Sequence, residues 1–158
     1  MNIGFYLLDI DQQNQNSVAL LSVVNDICRL RPRDNIVVFS NAPNAIINGN
    51  RYYMLHVSQA KFFKGNLFLF DHKARLLTQT FETPAKQIMY ISEIPWGREQ
   101  STQALYQNWK NQYGKGNLEF IAQSQETSDL LEICWKKPVK IMPQISAEEF
   151  NNVIEKVQ

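Results

Sequence analysis

Short runs of consecutive hydrophobic residues alternate along this chain with longer stretches in which hydrophobic residues recur every three or four positions. The short runs predict buried strands, and the periodic stretches predict amphipathic helices. The predicted strands are Ile3–Leu8, Asn35–Phe39, Tyr52–Val57, Asn66–Phe70, Gln87–Ile91, Leu118–Ala122 and Val139–Met142. The predicted helices are one capped by Ser17 and stopped by Pro32, a short one at Ser58–Phe63, one that Asp71 can cap, one at 101–113, one at Glu126–Trp135 that Ser124 can cap, and one at Ala147–Val157.

This alternation favours one fold class, because parallel strands need crossover connections and helices are the usual ones. We expect an α/β fold with a doubly wound, mainly parallel sheet of six to seven strands and helices on both faces, as in Rossmann-like domains. The chain has 158 residues, and no linker, internal repeat or low-complexity run divides it. The sequence therefore predicts a single domain over residues 1–158.

Composition narrows the classes of partner. Hydrophobic residues make up 44% of the chain and charged residues 20%, and the net charge is +1. So small a charge provides no strong field, and we expect neither a nucleic-acid partner nor a charged membrane surface. The longest apolar runs, about eight residues, are too short to span a bilayer. The first residues lack the pattern of a signal peptide, and Cys28 and Cys134 are expected to be reduced thiols, so a cytoplasmic location is expected.

In open parallel sheets ligands bind outside the carboxyl ends of the strands, where the strand order reverses. The loops predicted at that edge contain most of the polar and aromatic residues that packing does not explain. An exposed Trp beside Glu and Arg would suit stacking on a sugar ring and recognition of its hydroxyls, whereas the more ordinary interpretation is that Trp96 covers the edge of the core beneath a long loop. The predicted ligand-binding residues are Asp9, Asp11, Ser40, Asn41, His56, Glu93, Trp96 and Arg98. His56 and His72 both lie near predicted strand ends, where an imidazole could bind a ligand.

Two pairs of residues resemble motifs of haloacid-dehalogenase-type phosphatases. Asp9-Ile-Asp11 directly follows the first strand, and Ser40-Asn41 follows the second. This resemblance implies that Asp9 is the nucleophile, that Asp11 is the general acid and base, and that Ser40 binds phosphate with Mg²⁺ as cofactor. Gln12-Gln13 stands where Gly-Thr is usual, and no GDxxxD occurs in the chain.

Three other nucleotide or phosphoacceptor sites are disfavoured by missing motifs. No GxGxxG follows the first strand and no GxxxxGK[ST] occurs, so neither a dinucleotide site nor a P-loop is supported. A response-regulator receiver would place acidic residues at the first strand end and at Asp71, but the predicted strands are too many. Without a nucleotide or metal motif, no cofactor is expected outside the phosphatase interpretation.

The last forty residues resemble the N-terminal, acceptor-side half of GT-B glycosyltransferases. Phe120-Ile-Ala-Gln-Ser124 is similar to a family strand that ends in Ser, and Glu126–Trp135 is similar to the helix after it. Lys140-Ile-Met-Pro143 resembles the family's Ile-x-Pro strand. The segment Lys86–Glu93 is similar to a strand often followed by a His at the acceptor site, where Ser92-Glu93 stands here.

The resemblance implies a function that depends on a partner. In that family this half mostly contacts the acceptor, and the other half contacts the nucleotide sugar. We therefore expect the acceptor-side half of a GT-B enzyme, or a binding module derived from it, that does not transfer sugar alone. Its expected partners are a donor-binding half or another protein, and a sugar or nucleotide ligand.

Overall fold

The fold was determined from a computed structural model, which describes residues 1–8, 10, 15–42, 49–94, 103–114 and 116–157. Its strands are β1 (Asn2–Tyr6), β2 (Asn35–Ser40), β3 (Tyr53–His56), β4 (Asn66–Leu69), β5 (Lys86–Ile91), β6 (Leu118–Ala122) and β7 (Lys140–Ile141). Its α-helices are α1 (Gln15–Leu30), α2 (His72–Thr80), α3 (Gln103–Gly114), α4 (Gln125–Cys134) and α5 (Ala147–Lys156), with a 3-10 helix at Val57–Phe62.

The seven strands form one sheet in the order β3-β2-β1-β4-β5-β6-β7, and every neighbouring pair is parallel. The first six follow the Rossmann order, and β7 extends the sheet by one strand. The order reverses between β1 and β4, because β2 and β3 lie on one side of β1 and the later strands lie on the other. The predicted α/β class and parallel sheet are confirmed.

Helices cover both faces of the sheet, and each face has its own hydrophobic core. On one face Phe5 packs with residues of α1 and α5, including Phe150, which is fully buried. On the other face Tyr6 packs with residues of the 3-10 helix and of α2, α3 and α4, including Tyr113 and Leu131. Successive residues of a strand point to opposite faces, which is why neighbours such as Phe5 and Tyr6 belong to different cores.

Local sequence signals account for most helix starts. Asp71, Ser124 and Ser146 are the N-cap residues of α2, α4 and α5, and each side chain accepts a hydrogen bond from a backbone N–H of the first turn. The expected Ser17 cap is wrong, because α1 begins at Gln15 and Ser17 lies inside it. Both cysteines are free thiols as expected, with Cys28 buried and Cys134 partly exposed.

Candidate functional site

The carboxyl ends of β1 and β4 lie side by side at the point where the strand order reverses. The chain continues from β1 towards α1 on one face of the sheet and from β4 into α2 on the other. Because the two connections diverge, they leave a crevice between them, which is the usual ligand position in this fold class.

A cleft of about 780 Å³ opens at this point, and we call it the switch-point cleft. Most of its wall is hydrophobic, and its polar groups are concentrated where β4 passes into α2. The lining residues are Leu7, Leu8, Ser17, Leu20, Phe70, Asp71, His72, Lys73, Leu76 and Trp109. A largely apolar wall with a few convergent polar groups is typical of small-molecule sites.

Asp71 is held at the cleft by the start of α2. One of its carboxylate oxygens, Oδ1, accepts a hydrogen bond of 2.7 Å from the backbone N–H of Ala74. Its charge also affects Tyr6, the last residue of β1. Burial raises the pKa of Tyr6, and the Asp71 carboxylate raises that pKa further. The other carboxylate oxygen, Oδ2, has no hydrogen bond to a residue in the described part of the chain.

His72 is the first residue of α2, and two aromatic residues of α3 surround it. The hydroxyl of Tyr113 forms a hydrogen bond with Nδ1 of the imidazole. The indole of Trp109 meets the imidazole edge to face, with ring centroids 4.9 Å apart. These contacts orient the imidazole ring and leave Nε2 as the nitrogen available to a ligand.

Burial determines the protonation of this pair. It lowers the pKa of His72, and the nearby Asp71 carboxylate opposes that change. It raises the pKa of Tyr113 far above its ordinary value, while the cation of Arg75 acts in the other direction. Both side chains are therefore uncharged near neutral pH.

Two smaller depressions continue along the same edge of the sheet, and Phe70 borders both of them and the cleft. One, of about 260 Å³, lies between β4 and β5 and includes Ser92 and Glu93. The other, of about 480 Å³, lies on the face covered by α1 and includes Gln123 and Gln144. A ligand larger than the cleft would have room to extend along either path.

The structure separates some of the sequence-predicted site residues from this cleft. Ser40 and His56 are paired in register on β2 and β3, away from the switch point. Ser40 is fully buried, and its hydroxyl accepts a hydrogen bond of 3.2 Å from the N–H of Ala42. His56 caps the 3-10 helix, with Nδ1 2.8 Å from the hydroxyl of Ser58. These two side chains have local structural roles, and neither lines the cleft.

Of the remaining predicted ligand-binding residues, the structure describes Asn41 and Glu93. The backbone N–H of Asn41 donates to the carbonyl of Leu8 at 3.1 Å and so joins the ends of β2 and β1. Glu93 borders the depression beside the cleft. The predictions for Asp9, Asp11, Trp96 and Arg98 lie outside the described residues.

The predicted ligand set leaves out several residues that line the switch-point cleft. Sequence reasoning identified Asp71 as a cap and His72 as a histidine at a strand end, but left both out of the ligand set. It predicted the helix that contains Trp109 but gave that residue no role in a site. The signal that could have found the site is Asp-His directly after a buried strand, since that position is the carboxyl edge of a parallel sheet.

A separate polar cluster lies at the opposite edge of the sheet, near the start of β5. Arg75 is 4% exposed and donates through Nη1 to Oε1 of Gln87 at 2.7 Å. It also donates through Nε and Nη2 to the carbonyl of Gln112, at 3.2 and 2.9 Å. A depression of about 620 Å³ borders this cluster. Arg75 joins α2, α3 and β5, so the cluster has a structural role.

No group of three His, Cys, Asp or Glu side chains suited to hold a metal ion occurs among the residues that the structure describes. Within the same residues, no helix has the length and apolar character needed to cross a membrane. Comparisons of the chain with protein-family models, curated proteins and solved structures find no match. The chemistry of the cleft is therefore the basis for assigning a function.

Proposed function

We propose that this chain is a glycosyltransferase-like domain, either the acceptor-side half of a GT-B enzyme or a binding module derived from it. Its ligand occupies the switch-point cleft. These 158 residues do not transfer sugar on their own, because in the GT-B resemblance the contacts to the nucleotide sugar belong to the other half.

The observation that supports this proposal most is the composition of the switch-point cleft. Asp71 offers hydrogen-bond acceptors, His72 offers a ring nitrogen, and Trp109 offers an aromatic surface, within a wall that is otherwise mostly apolar. Sugars present both hydroxyls and an apolar ring face, so a site of this kind is suited to them. The wholly parallel sheet is the architecture that the resemblance implies.

The proposal is tested by ligand titration of the purified chain, followed by the backbone amide signals of the cleft. Methyl glycosides and free sugars are the first probes, and we expect shifts concentrated at Leu7, Leu8 and residues 70–73. UDP-sugars and GDP-sugars, titrated by calorimetry, should bind poorly. Tight binding of a nucleotide sugar, or sugar transfer by the isolated chain, would contradict the proposal.

A magnesium-dependent phosphatase is the second candidate, and the position of Asp71 favours it. Asp71 follows β4, and β4 pairs with β1, which leads to Asp9 and Asp11. The Asp71 carboxylate therefore lies at the edge where the phosphatase interpretation needs acidic residues to bind Mg²⁺. The burial of Ser40 weighs against its expected role in binding phosphate.

The two candidates are separated by an activity assay. Magnesium-dependent hydrolysis of a phosphoester panel, lost in Asp9→Asn and reduced in Asp71→Asn, would favour the phosphatase. Absence of hydrolysis across the panel, together with glycoside binding at the cleft, would leave the glycosyltransferase-like domain.

A further inference from the structure

The hydrogen bond between Tyr113 and His72 determines which imidazole nitrogen carries the proton. Tyr113 is 3% exposed and remains protonated, so its hydroxyl has a hydrogen to donate. With Tyr113 as the donor in this pair, Nδ1 of His72 accepts and the neutral imidazole carries its own hydrogen on Nε2.

His72 and Asp71 therefore present opposite hydrogen-bonding groups from adjacent positions. The Nε2–H of His72 is a donor, whereas Oδ2 of Asp71 is an acceptor. The Asp71 carboxylate is held in place through Oδ1, which caps α2, and the imidazole is held by Tyr113 and Trp109. A pair of neighbouring hydroxyls matches such a pair of groups, because each hydroxyl can both donate and accept.

The charge of the cleft argues for a neutral ligand. Among the described residues that line it, one carboxylate, Asp71, and one ammonium group, Lys73, offset each other. A phosphate placed beside Asp71 would meet a like charge, and a partly apolar wall increases that repulsion. A neutral ring with hydroxyls on its edge has no such penalty, and its apolar face can lie against side chains such as Phe70 and Leu76.

We propose that Asp71 and His72 together bind two adjacent hydroxyls of an uncharged sugar ring in the switch-point cleft, with Tyr113 as the positioning residue that keeps the hydrogen of His72 on Nε2. This inference rests on the proposed function, and it identifies the ligand class and the residues that recognise it.

The first measurement is direct and needs no ligand. Nitrogen-15 chemical shifts of the imidazole report which ring nitrogen is protonated, and wild-type His72 should show the Nε2–H form. Tyr113→Phe removes the hydroxyl that donates to Nδ1, so the ring should become a mixture of both forms. An Nδ1–H form in the wild type, or no change in Tyr113→Phe, would overturn the role of Tyr113.

The second measurement is the affinity for methyl glycosides, followed by amide shifts. Asp71→Asn keeps an oxygen that can cap α2 but removes the charge, and His72→Phe keeps an aromatic ring but removes both nitrogens. Each change should weaken binding about tenfold, the effect of losing one hydrogen bond. His72→Gln restores an N–H donor and should retain most of the affinity. The control is Asp129→Asn on the exposed side of α4, which should leave the affinity unchanged.

The outcomes distinguish this inference from the proposed function. If methyl glycosides bind but Asp71→Asn and His72→Phe, with unchanged melting temperatures, leave affinity intact, the assignment of these residues is wrong and the function stands. If glucose 6-phosphate binds more tightly than methyl glucoside, the ligand class is wrong. If none of the glycosides shifts the cleft amides, the proposed function fails, and this inference fails with it.

Discussion

The guanidinium of Arg75 shows how one buried side chain can join three elements of this fold. It extends from α2 and donates to the side chain of Gln87 on β5 and to the carbonyl of Gln112 in α3. Thr78 also donates to Oε1 of Gln87, at 3.0 Å. Charged donors to buried oxygens are stronger than neutral ones, so the contacts of Arg75 should matter for stability.

Replacing Arg75 with Met should reduce the free energy of unfolding by about 2–3 kcal/mol, because buried oxygens lose a charged donor. Urea unfolding measures the change. The matched control is Arg29→Met, since Arg29 is exposed and forms a surface ion pair with Asp26, 2.7 Å away. That control should cost less than about 1 kcal/mol. Equal effects of the two substitutions would show that the buried cluster adds nothing.

His72 should make stability depend on pH in one direction. Burial lowers its pKa in the folded state, so the folded protein favours the neutral imidazole more than the unfolded chain does. The contribution is fully present above the unfolded pKa of about 6.5 and is lost as the pH falls through the window between that value and the lower folded pKa. In His72→Gln, unfolding free energies measured from about pH 7.5 to 5 should fall less than in the wild type. Parallel curves for the two proteins would contradict this.

At the scale of elements, the starts of three helices are determined by a single capping side chain each. In α4 the hydroxyl of Ser124 accepts a hydrogen bond of 3.1 Å from the N–H of Thr127. That interaction is local, so sequence reasoning found it without knowing the fold. The local signal was wrong at Ser17, because α1 begins at Gln15, three residues before the start that a Ser17 cap predicts.

Removing the N-cap of α4 should lower the stability of the protein by a small amount. Ser124→Ala should lower the free energy of unfolding by about 1 kcal/mol, because the N–H of Thr127 loses its acceptor. Ser124→Asp is the matched control: its carboxylate can accept the same hydrogen bond, so its stability should stay close to that of the wild type. Thermal and urea unfolding of both variants measure the difference. An Asp variant as unstable as the Ala variant would show that capping is not the cause.

At the scale of the whole molecule, one sheet separates two hydrophobic cores and couples them. Phe150 of α5 is fully buried and packs edge to face on Phe5 and Phe68, with ring centroids 5.9 and 5.3 Å away. Both partners belong to the central strands β1 and β4, and neighbouring residues of those strands, Tyr6, Leu67 and Leu69, face the second core. A substitution that destabilises one core should therefore also destabilise the other core, because the two share those strands.

Phe150→Ala should destabilise the protein by about 3–5 kcal/mol, because it leaves a cavity in the first core. The tryptophans Trp109 and Trp135 pack against the second core, so their fluorescence reports unfolding on the opposite face. Fluorescence and far-ultraviolet circular dichroism should give the same, lowered transition midpoint, as for a single cooperative domain. The surface control Asn152→Ala should shift neither signal appreciably. Two separate transitions would contradict the prediction of one domain over residues 1–158.

The sequence by itself determined the fold class, the number of strands and most helix boundaries. These depend on hydrophobic periodicity and on caps such as Asp71 and Ser124, which act within a few residues. A parallel sheet also follows from that alternation, because its crossovers need helices. The expectation that a ligand binds at the carboxyl edge rests on the same alternation.

Only the tertiary structure decided which residues meet at that edge. The strand order brings β1 beside β4, and Asp71 and His72 thereby reach the switch point, while Ser40 and His56 lie one and two strands away from β1. The contacts of His72 with Trp109 and Tyr113 join residues 37 and 41 positions apart. Such contacts depend on how helices pack across the sheet, and local hydrophobic periodicity carries no information about which distant side chains meet.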